Sequence, residues 1–530
     1  MENASRIRIL FIIFISLFIL IIVRLIDLQI IHYRFYREKS LEQRTRIINL
    51  SANRGDLFDR NGKVLGVSVD TFSVFTQKNG FSWVARKLPR KEAEALKSKN
   101  PSELFLLKEK KRVYPKGKLA AQVLGFTGMD NQGLSGVELA FDKYLKGNAG
   151  KVITEGDPQG RELYGALREI EAGEDGMNLT LTLDENIQYI AEREIEEQMK
   201  KSSAVSGMLI VMNAKTGEIL ALASKPDFDP NAYGKYDRRL WHPRFLDPYE
   251  PGSTFKVITT ASGLEEGVIN LDTKLKALDQ IKIGGKTIEN SHPIDWPGKE
   301  ISLSKMLEQS INTGAAQIGI KLGPEKFYRH IRSFGFGEEV GIGFGGESRG
   351  IVRHWEKWYK PDVAMIAFGQ SIAVTPLQLL SAFSAFANQG KTIRPCLVKK
   401  VESADGNFVK VFAEEERGHP LSPRVVEEMK GLLRNVVLYG SGRRAKMEWF
   451  SVGGKTGTAQ KPIPGGRGYM KGHYIASFIG LAPLGDPEVI VLVTVDDPKG
   501  SIWGESVCGP VFKNVMEYTL RYLNIKPDVL

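Results

Sequence analysis

Apolar residues run almost unbroken from Ile9 to Val23, with only Ser16 between them. After Arg24 the run resumes from Leu25 to Ile31 around Asp27 and Gln29. At about 1.5 Å of rise per residue the whole stretch is long enough to cross a bilayer as one helix. A cleaved signal peptide is the alternative, but no small-x-small site follows, because Leu25-Ile-Asp-Leu-Gln29 is bulky throughout. Arg6 and Arg8 precede the run, and the positive-inside tendency then keeps the N-terminus cytoplasmic and exports the rest. The expectation is a single-pass anchor with an external body.

Beyond the anchor the pattern changes character. Tyr33 to Arg46 is polar and basic and predicts a juxtamembrane helix. Leu57-Phe-Asp-Arg60, Asn61-Gly62 and Lys63-Val-Leu-Gly-Val67 predict a hairpin, since Asn-Gly favours the turn whose twist matches the strands. From there to about Glu171 short strands and helices mix irregularly, and Glu171-Ala-Gly-Glu-Asp-Gly176 predicts a linker. Leu179 to Leu183 reads as a strand, and Asp184 opens a helix with Ile187, Ile190, Ile195 and Met199 on one face.

The second body carries strand patterns at both of its ends. Met208 to Asn213 and Glu218 to Ala223 are apolar strands joined by the turn Ala-Lys-Thr-Gly. Ser451 to Gln460, Ile475 to Ala482 and Val489 to Val495 follow much later, with helical text between and an amphipathic helix from Val511 to Leu523 at the close. Two strands at the start and three at the end predict one antiparallel sheet flanked by helices, an α/β (α+β) fold.

Composition narrows the class. A chain of 530 residues is too long for one core and implies two or three domains. Its 42% hydrophobic and 25% charged content excludes wholesale disorder and a multi-span membrane protein. The net charge of +11 invites a nucleic-acid role, yet no nucleic-acid module is visible. The densest basic stretch, Lys108 to Lys118, reads instead as a solvated face beside anionic lipid or wall polymer. Cys396 and Cys508 lack metal-ligand spacing, and the sequence leaves both a paired and a free state open. No metal and no cofactor is expected.

The chemistry concentrates in three ordered motifs: Ser253-Thr-Phe-Lys256, Ser310-Ile-Asn312 and Lys455-Thr-Gly457. Helical spacing lets Lys256 reach the Ser253 hydroxyl and take its proton, which makes an acylating serine. Decoys exist: Ser302-Leu-Ser-Lys305, Lys215-Thr-Gly217, Ser51-Ala-Asn53 and Ser98-Lys-Asn100 repeat the same short patterns. Those at 51, 98 and 215 precede Ser253, and Ser302 lies too close to Ser310. The plainer reading, that Ser253 only caps a helix, does not account for all three elements in order. Gly341-x-Gly343-x-x-Gly346 matches a dinucleotide fingerprint but lacks a βαβ setting, so it reads as a loop. His242 and His292 read as loop residues, and Trp355 and Trp358 as packing anchors. The Gly-rich stretch Pro462 to Gly468 is expected to gate the cleft or to be an inert hairpin connection.

The ordered motifs resemble those of the penicillin-recognising serine transpeptidases, and the flanking text resembles the monofunctional, class B penicillin-binding proteins over most of the chain. Arg54-Gly-Asp-Leu-Phe-Asp-Arg-Asn-Gly62 and Gly133-Leu-Ser-Gly-Val-Glu138 resemble pedestal signatures. Val374-Thr-Pro-Leu-Gln378 and Lys455-Thr-Gly-Thr-Ala-Gln460 resemble parts of the transpeptidase domain. Glu-Pro-Gly-Ser before the nucleophile and Gly346-Glu-Ser-Arg-Gly350 look more like the cell-division branch than the elongation branch.

The resemblance implies a cytoplasmic tail and transmembrane anchor at 1–32, a pedestal or dimerisation-like domain at 33–172 and a serine transpeptidase domain at 173–530. It implies a peptidoglycan DD-transpeptidase of the bacterial cytoplasmic membrane, with a possible D-Ala-D-Ala carboxypeptidase side activity. Ser253 is the expected nucleophile and Lys256 its base. Lys455 is the second cation, and Ser310 is the bridge that passes a proton to the leaving amine. Asn312, Thr456, Gly457 and Thr458 are expected to bind substrate, with the backbone N–H groups of Ser253 and Thr458 as oxyanion hole. The implied partners are stem peptides, β-lactams, a SEDS-family glycan polymerase with other division proteins, and the membrane, but not nucleic acid. An elongation-type transpeptidase, a β-lactamase or β-lactam sensor, and a non-catalytic division scaffold remain the alternatives.

Overall fold

The structure, a computed structural model, describes residues 2–50, 52–76, 81–155, 169–295, 297–466 and 468–529. Ser51 of one decoy, Arg467 of the Gly-rich stretch, and residues 77–80 and 156–168 of the expected pedestal lie outside the described residues. Contacts divide the chain into two units: residues 1–53 with 147–176, and residues 54–146 with 177–530.

In the first unit, helix α1 (Glu2–Ile26) runs into a π-helical turn, Asp27–Ile31, and the apolar stretch Ala4–Ile31 is long enough to span a membrane. Asp27, the one acid within it, is bonded by Arg24 at 2.6 Å and His32 at 2.7 Å. Helix α2 (Tyr33–Arg44) follows. Thr45–Leu50, Gly150–Glu155 and Glu169–Glu171 then form a three-stranded antiparallel sheet. The expected linker at 171–176 is part of this unit. Asn148 and Glu174 exchange backbone hydrogen bonds of 2.8 and 2.9 Å, and the Asp175 carboxylate accepts from the backbone and side chain of Asn53. Residues 171–175 are exposed, and Gly173 also permits close backbone approach, since a Cβ there would fall 2.5 Å from the Gly150 nitrogen.

The second unit opens with the expected hairpin, Leu57–Phe58 against Val64–Thr76. Its turn is a three-residue loop. Asp59 pairs with Lys63, the Gly62 N–H donates to Asp59 O at 3.1 Å, and Gly62 alone sits at positive φ, +82°. The Asp59 carboxylate accepts from the Asn61 and Lys63 amides, which selects this turn over the two-residue form Asn-Gly also allows.

Two pedestal signatures meet in a buried ion cluster. Glu138, fully buried, accepts from Arg54 Nε and Arg112 Nε at 2.6 Å each and from the Tyr114 hydroxyl at 3.2 Å. In the basic stretch 108–118, Lys108, Lys111, Lys116 and Lys118 are exposed, as the solvated-face reading expected, while Arg112 is buried in this cluster. Lys108 and Lys110 pair with Asp70, Arg112 with Glu138, Lys116 with Glu185 and Lys118 with Asp227.

The larger part of the second unit is built on one five-stranded antiparallel sheet. Its strands are β1 (Ser206–Asn213), β2 (Ile219–Lys225), β3 (Gly453–Pro462), β4 (Tyr469–Ala482) and β5 (Val489–Asp496), in the order β2-β1-β5-β4-β3. Alternating side chains bury both faces: Met208, Ile210 and Leu492 enter one core, while Leu209, Val211 and Val493 enter the other. The second core is closed by helix α3 (Glu185–Ser202), capped by the Asp184 carboxylate, and by the C-terminal helix Gly509–Tyr522. Cys396 and Cys508 are both free thiols.

Two of the decoys are accounted for by their surroundings. Ser302 caps the helix Leu303–Glu308, and Lys215 lies in the β1–β2 turn with its amine on Ala387 O and Asp486. The Gly341–Gly346 segment is a loop whose backbone N–H groups are filled by the chain's own Glu347 carboxylate, from Val340 at 2.6 Å and Gly341 at 2.9 Å.

Candidate active site

The nucleophile turn is held from three sides. Tyr249 exchanges backbone hydrogen bonds with Val374, the Gly252 N–H donates to Gly369 O at 3.1 Å, and the Thr254 hydroxyl donates to Pro251 O at 2.8 Å. Gly252 takes φ +55°, and a Cβ on Gly369 would lie 2.1 Å from Gly252 O, so both positions require glycine. Gly369 carries no signal of this role in its own sequence neighbourhood, because it acts through a backbone contact with a distant residue. Ser253 sits in a 3₁₀ turn, Gly252–Phe255, and Lys256 is the first residue of helix α4 (Lys256–Glu265).

Lys256 is fully buried while Ser253 opens onto a cleft. The amine points toward the second motif, donating to Ser310 O at 2.5 Å, Asn312 Oδ1 at 2.7 Å and Ser310 Oγ at 3.2 Å. Among the described residues no hydrogen bond joins it to the Ser253 hydroxyl, in contrast to the direct contact expected from spacing. A buried amine needs acceptors for its N–H groups, and Ser310 with Asn312 supply them.

Ser310 lies between two helices at φ +55°, a strained conformation for a residue other than glycine. This conformation lets one residue present both its carbonyl and its hydroxyl to Lys256. Asn312 begins helix α5 (Asn312–Leu322), and its amide nitrogen donates to Glu289 O at 2.8 Å.

Lys455, fully buried on the outermost strand β3, donates to Ser310 Oγ at 2.9 Å and to Thr456 O and Oγ1 at 3.1 and 3.2 Å. Ser310 Oγ thus bridges the two amines. Burial pushes the Lys455 pKa down to about 7, and burial together with the Lys455 charge holds Lys256 well below the usual lysine range. The Thr456 hydroxyl bonds Ser441 Oγ at 2.9 Å, and Thr458 Oγ1 accepts from the Gly504 N–H at 3.4 Å. The missing side chain of Gly457 leaves room for the protein, since a Cβ there would fall 2.3 Å from Ser477 Oγ and 3.1 Å from Pro251 O.

Two cavities of about 230 and 400 Å³ meet at Ser253. The smaller carries Ser310, Ser441, Thr456 and Thr458, and the larger carries Asn312, Gln460 and Tyr469. Trp503 borders both and packs on His292 with ring centres 4.4 Å apart, so His292 is a cleft residue and not merely a loop one. Trp358 does pack, against Phe327 and Tyr328. The only advance signal for Ser441 was its setting between Gly440 and Gly442 after a helix.

Glu250, three residues before the nucleophile, accepts from the Ser371 N–H at 3.0 Å and the Tyr469 hydroxyl at 3.3 Å through one oxygen, while its other oxygen is buried without a partner. Burial raises its pKa from 4.5 to about 7 against the pull of those two hydrogen bonds. The folded protein therefore holds a proton there that the unfolded chain releases, and stability falls as pH rises from 4.5 to about 7. Glu250→Gln is expected to remove that loss. Relative to wild type it should gain up to roughly 3 kcal/mol between pH 4.5 and 8, read as the difference in melting temperature at the two pH values. A gap between the two proteins that does not change with pH would refute this.

A serine opening to a cleft, with two buried amines joined through a second hydroxyl, defines a serine acyl-transfer site. The chain matches the Penicillin binding protein transpeptidase domain over residues 207–517 and the Penicillin-binding Protein dimerisation domain over residues 76–181. It belongs to the penicillin-binding protein transpeptidase family, in its class B branch. It is 32% identical to Stage V sporulation protein D of Bacillus subtilis, over 97% of this chain and 86% of that protein. It is 29% identical to peptidoglycan D,D-transpeptidase FtsI of Escherichia coli, over 92% of this chain and 86% of that one. Among solved structures, penicillin binding protein 3 of Mycobacterium tuberculosis in complex with aztreonam superposes with a TM-score of 0.74 at 25% identity, covering 91% of this chain and 99% of the other.

Proposed function

We propose that the protein is a membrane-anchored peptidoglycan D,D-transpeptidase of the septal type. Neutral Lys256 takes the Ser253 proton as the hydroxyl attacks the penultimate D-alanine carbonyl of a stem peptide. Ser310 relays a proton to the departing D-alanine amine, and an amine of a neighbouring strand then replaces Ser253 on the acyl group. Asn312 holds the substrate amide, Lys455 with Thr456 and Thr458 faces its terminal carboxylate, Gly457 lets β3 close on the nucleophile turn, and the Ser253 and Thr458 N–H groups hold the oxyanion. β-Lactams form the same acyl-enzyme, and water in place of the acceptor gives a carboxypeptidase side reaction. Residues 1–32 anchor the protein with its N-terminus cytoplasmic, 33–172 form the pedestal and 173–530 the catalytic domain. A SEDS-family polymerase engages the anchor and pedestal.

The observation that carries this reading is Ser310 Oγ standing between two amines, at 3.2 and 2.9 Å, both with depressed pKa values. Similarity to FtsI and to the sporulation protein supports the septal assignment. Incubating the full-length protein in detergent with a fluorescent penicillin, followed by digestion and mass spectrometry, is expected to place the adduct on the peptide containing Ser253. A D-Ala-D-Ala stem peptide should yield free D-alanine and a cross-linked dimer. An adduct on another peptide, or absence of all three products, would sink the reading.

A further inference from the structure

Acylation expels an amine from the tetrahedral centre and deacylation admits one. The acceptor nitrogen must therefore take the place that the leaving D-alanine nitrogen vacated. With the donor's terminal carboxylate assigned to Thr456 and Thr458, the chamber on that side is the smaller cavity at Ser253, which holds the Thr456, Thr458 and Ser441 hydroxyls. Its wall also carries Glu505, half-buried and with no ion pair or hydrogen bond among the described residues. The amines of Lys256 and Lys455 make their hydrogen bonds to Ser310, Asn312 and Thr456, and among the described residues none to Glu505.

The position of Glu505 is fixed relative to the catalytic strand. The preceding residue, Gly504, donates its N–H to Thr458 Oγ1, and its α-carbon is pressed on β3 and β4. A Cβ there would fall 2.7 Å from Gly457 O and 2.3 Å from Ser477 O. Asp295 and His292 line the same chamber and are exposed.

We propose that Glu505 is a specificity-determining residue that receives the acceptor as a cationic primary amine and aims it at the acyl carbonyl. This rests on the transpeptidase reading above. The ammonium docks on the carboxylate and loses one proton to solvent, and its nitrogen bonds to the carbonyl carbon. The bond from that carbon to Ser253 Oγ breaks, and the second nitrogen proton ends on Oγ, leaving an amide and a free serine. Lys455 faces the carboxylate of the donor, and Glu505 faces the amine of the acceptor.

The test uses full-length protein in detergent, acylated with a D-alanyl thioester donor. Amide and acid products are quantified with glycinamide, largely cationic at neutral pH, or with neutral hydroxylamine as acceptor. The ratio of amide to acid is a property of each acyl-enzyme, so differences in acylation rate cancel. Glu505→Gln is expected to lower the glycinamide ratio about five-fold, and Glu505→Lys further, while the hydroxylamine ratio stays within about two-fold. An unchanged glycinamide ratio, or an equal fall with both acceptors, overturns the proposal. Absence of any acyl-enzyme in the wild type would instead remove the transpeptidase reading, and this inference with it.

Discussion

Lys256→Met is expected to slow acylation of Ser253 by a fluorescent penicillin about 10³-fold or more while leaving the protein folded. Met matches the length of the lysine stem, so the packing at the start of α4 is retained and only the amine is lost. The loss has two parts. Ser253 no longer has a base in its turn, and the Ser310 bridge keeps Lys455 as its only amine partner. The pH profile should change as well. In the wild type, acylation falls as pH drops through the depressed Lys256 pKa, because the protonated amine cannot accept the serine proton. Toward high pH a second fall is expected near 7, as Lys455 loses the charge that faces the substrate carboxylate. In the variant the acidic limb should vanish and the basic limb remain. Stopped-flow acylation across pH would show this, and a variant within ten-fold of wild type would mean that another group is the base.

Glu138→Ala is expected to destabilise the protein by about 3–5 kcal/mol. The substitution leaves the Arg54 and Arg112 guanidiniums buried near one another with their shared anion removed. Asp142 could then serve Arg54, to which it already bonds at 2.6 Å, but it is partly exposed and the structure pairs it with only one of the two arginines. Arg112 would retain Gly55 O at 2.9 Å and, as its remaining anion, Asp56 at 3.7 Å, a partly exposed and distant partner. Asp142→Asn should therefore cost much less than Glu138→Ala. Thermal or urea denaturation of the full-length protein in detergent measures both, and equal, small losses would show that the cluster is not the electrostatic keystone of this region.

The features legible in the sequence were those written locally. Strand alternation in β1 to β5, the Asp184 cap and the length of the apolar run each depend on neighbours a few residues away, and each appears in the structure where it was expected. The order of the three motifs was enough to predict that distant segments converge: Ser253 and Ser310 line one cleft, and Lys256 and Lys455 are buried against Ser310. What stayed hidden depends on partners far along the chain. Nothing near Lys110 announces Asp70, nothing near Gly369 announces Gly252, and Glu250 shows its buried oxygen only once Tyr469 arrives from β4. Charge and glycine content are informative only in part for the same reason. Most lysines of the basic stretch and residues 171–175 are exposed, but composition does not reveal which carboxylate or backbone faces them.

The strand bearing Lys455, Thr456 and Thr458 is outermost in its sheet, with β4 on one side and, among the described residues, no strand hydrogen-bonded on the other. Such a margin is a template for an incoming extended chain, which it would recognise through main-chain amides and carbonyls more than through side-chain identity. A site of this kind tolerates variation in what hangs from the backbone but demands that the backbone be straight. Rigid molecules that imitate a stretched dipeptide amide are, on these grounds, natural competitors for it.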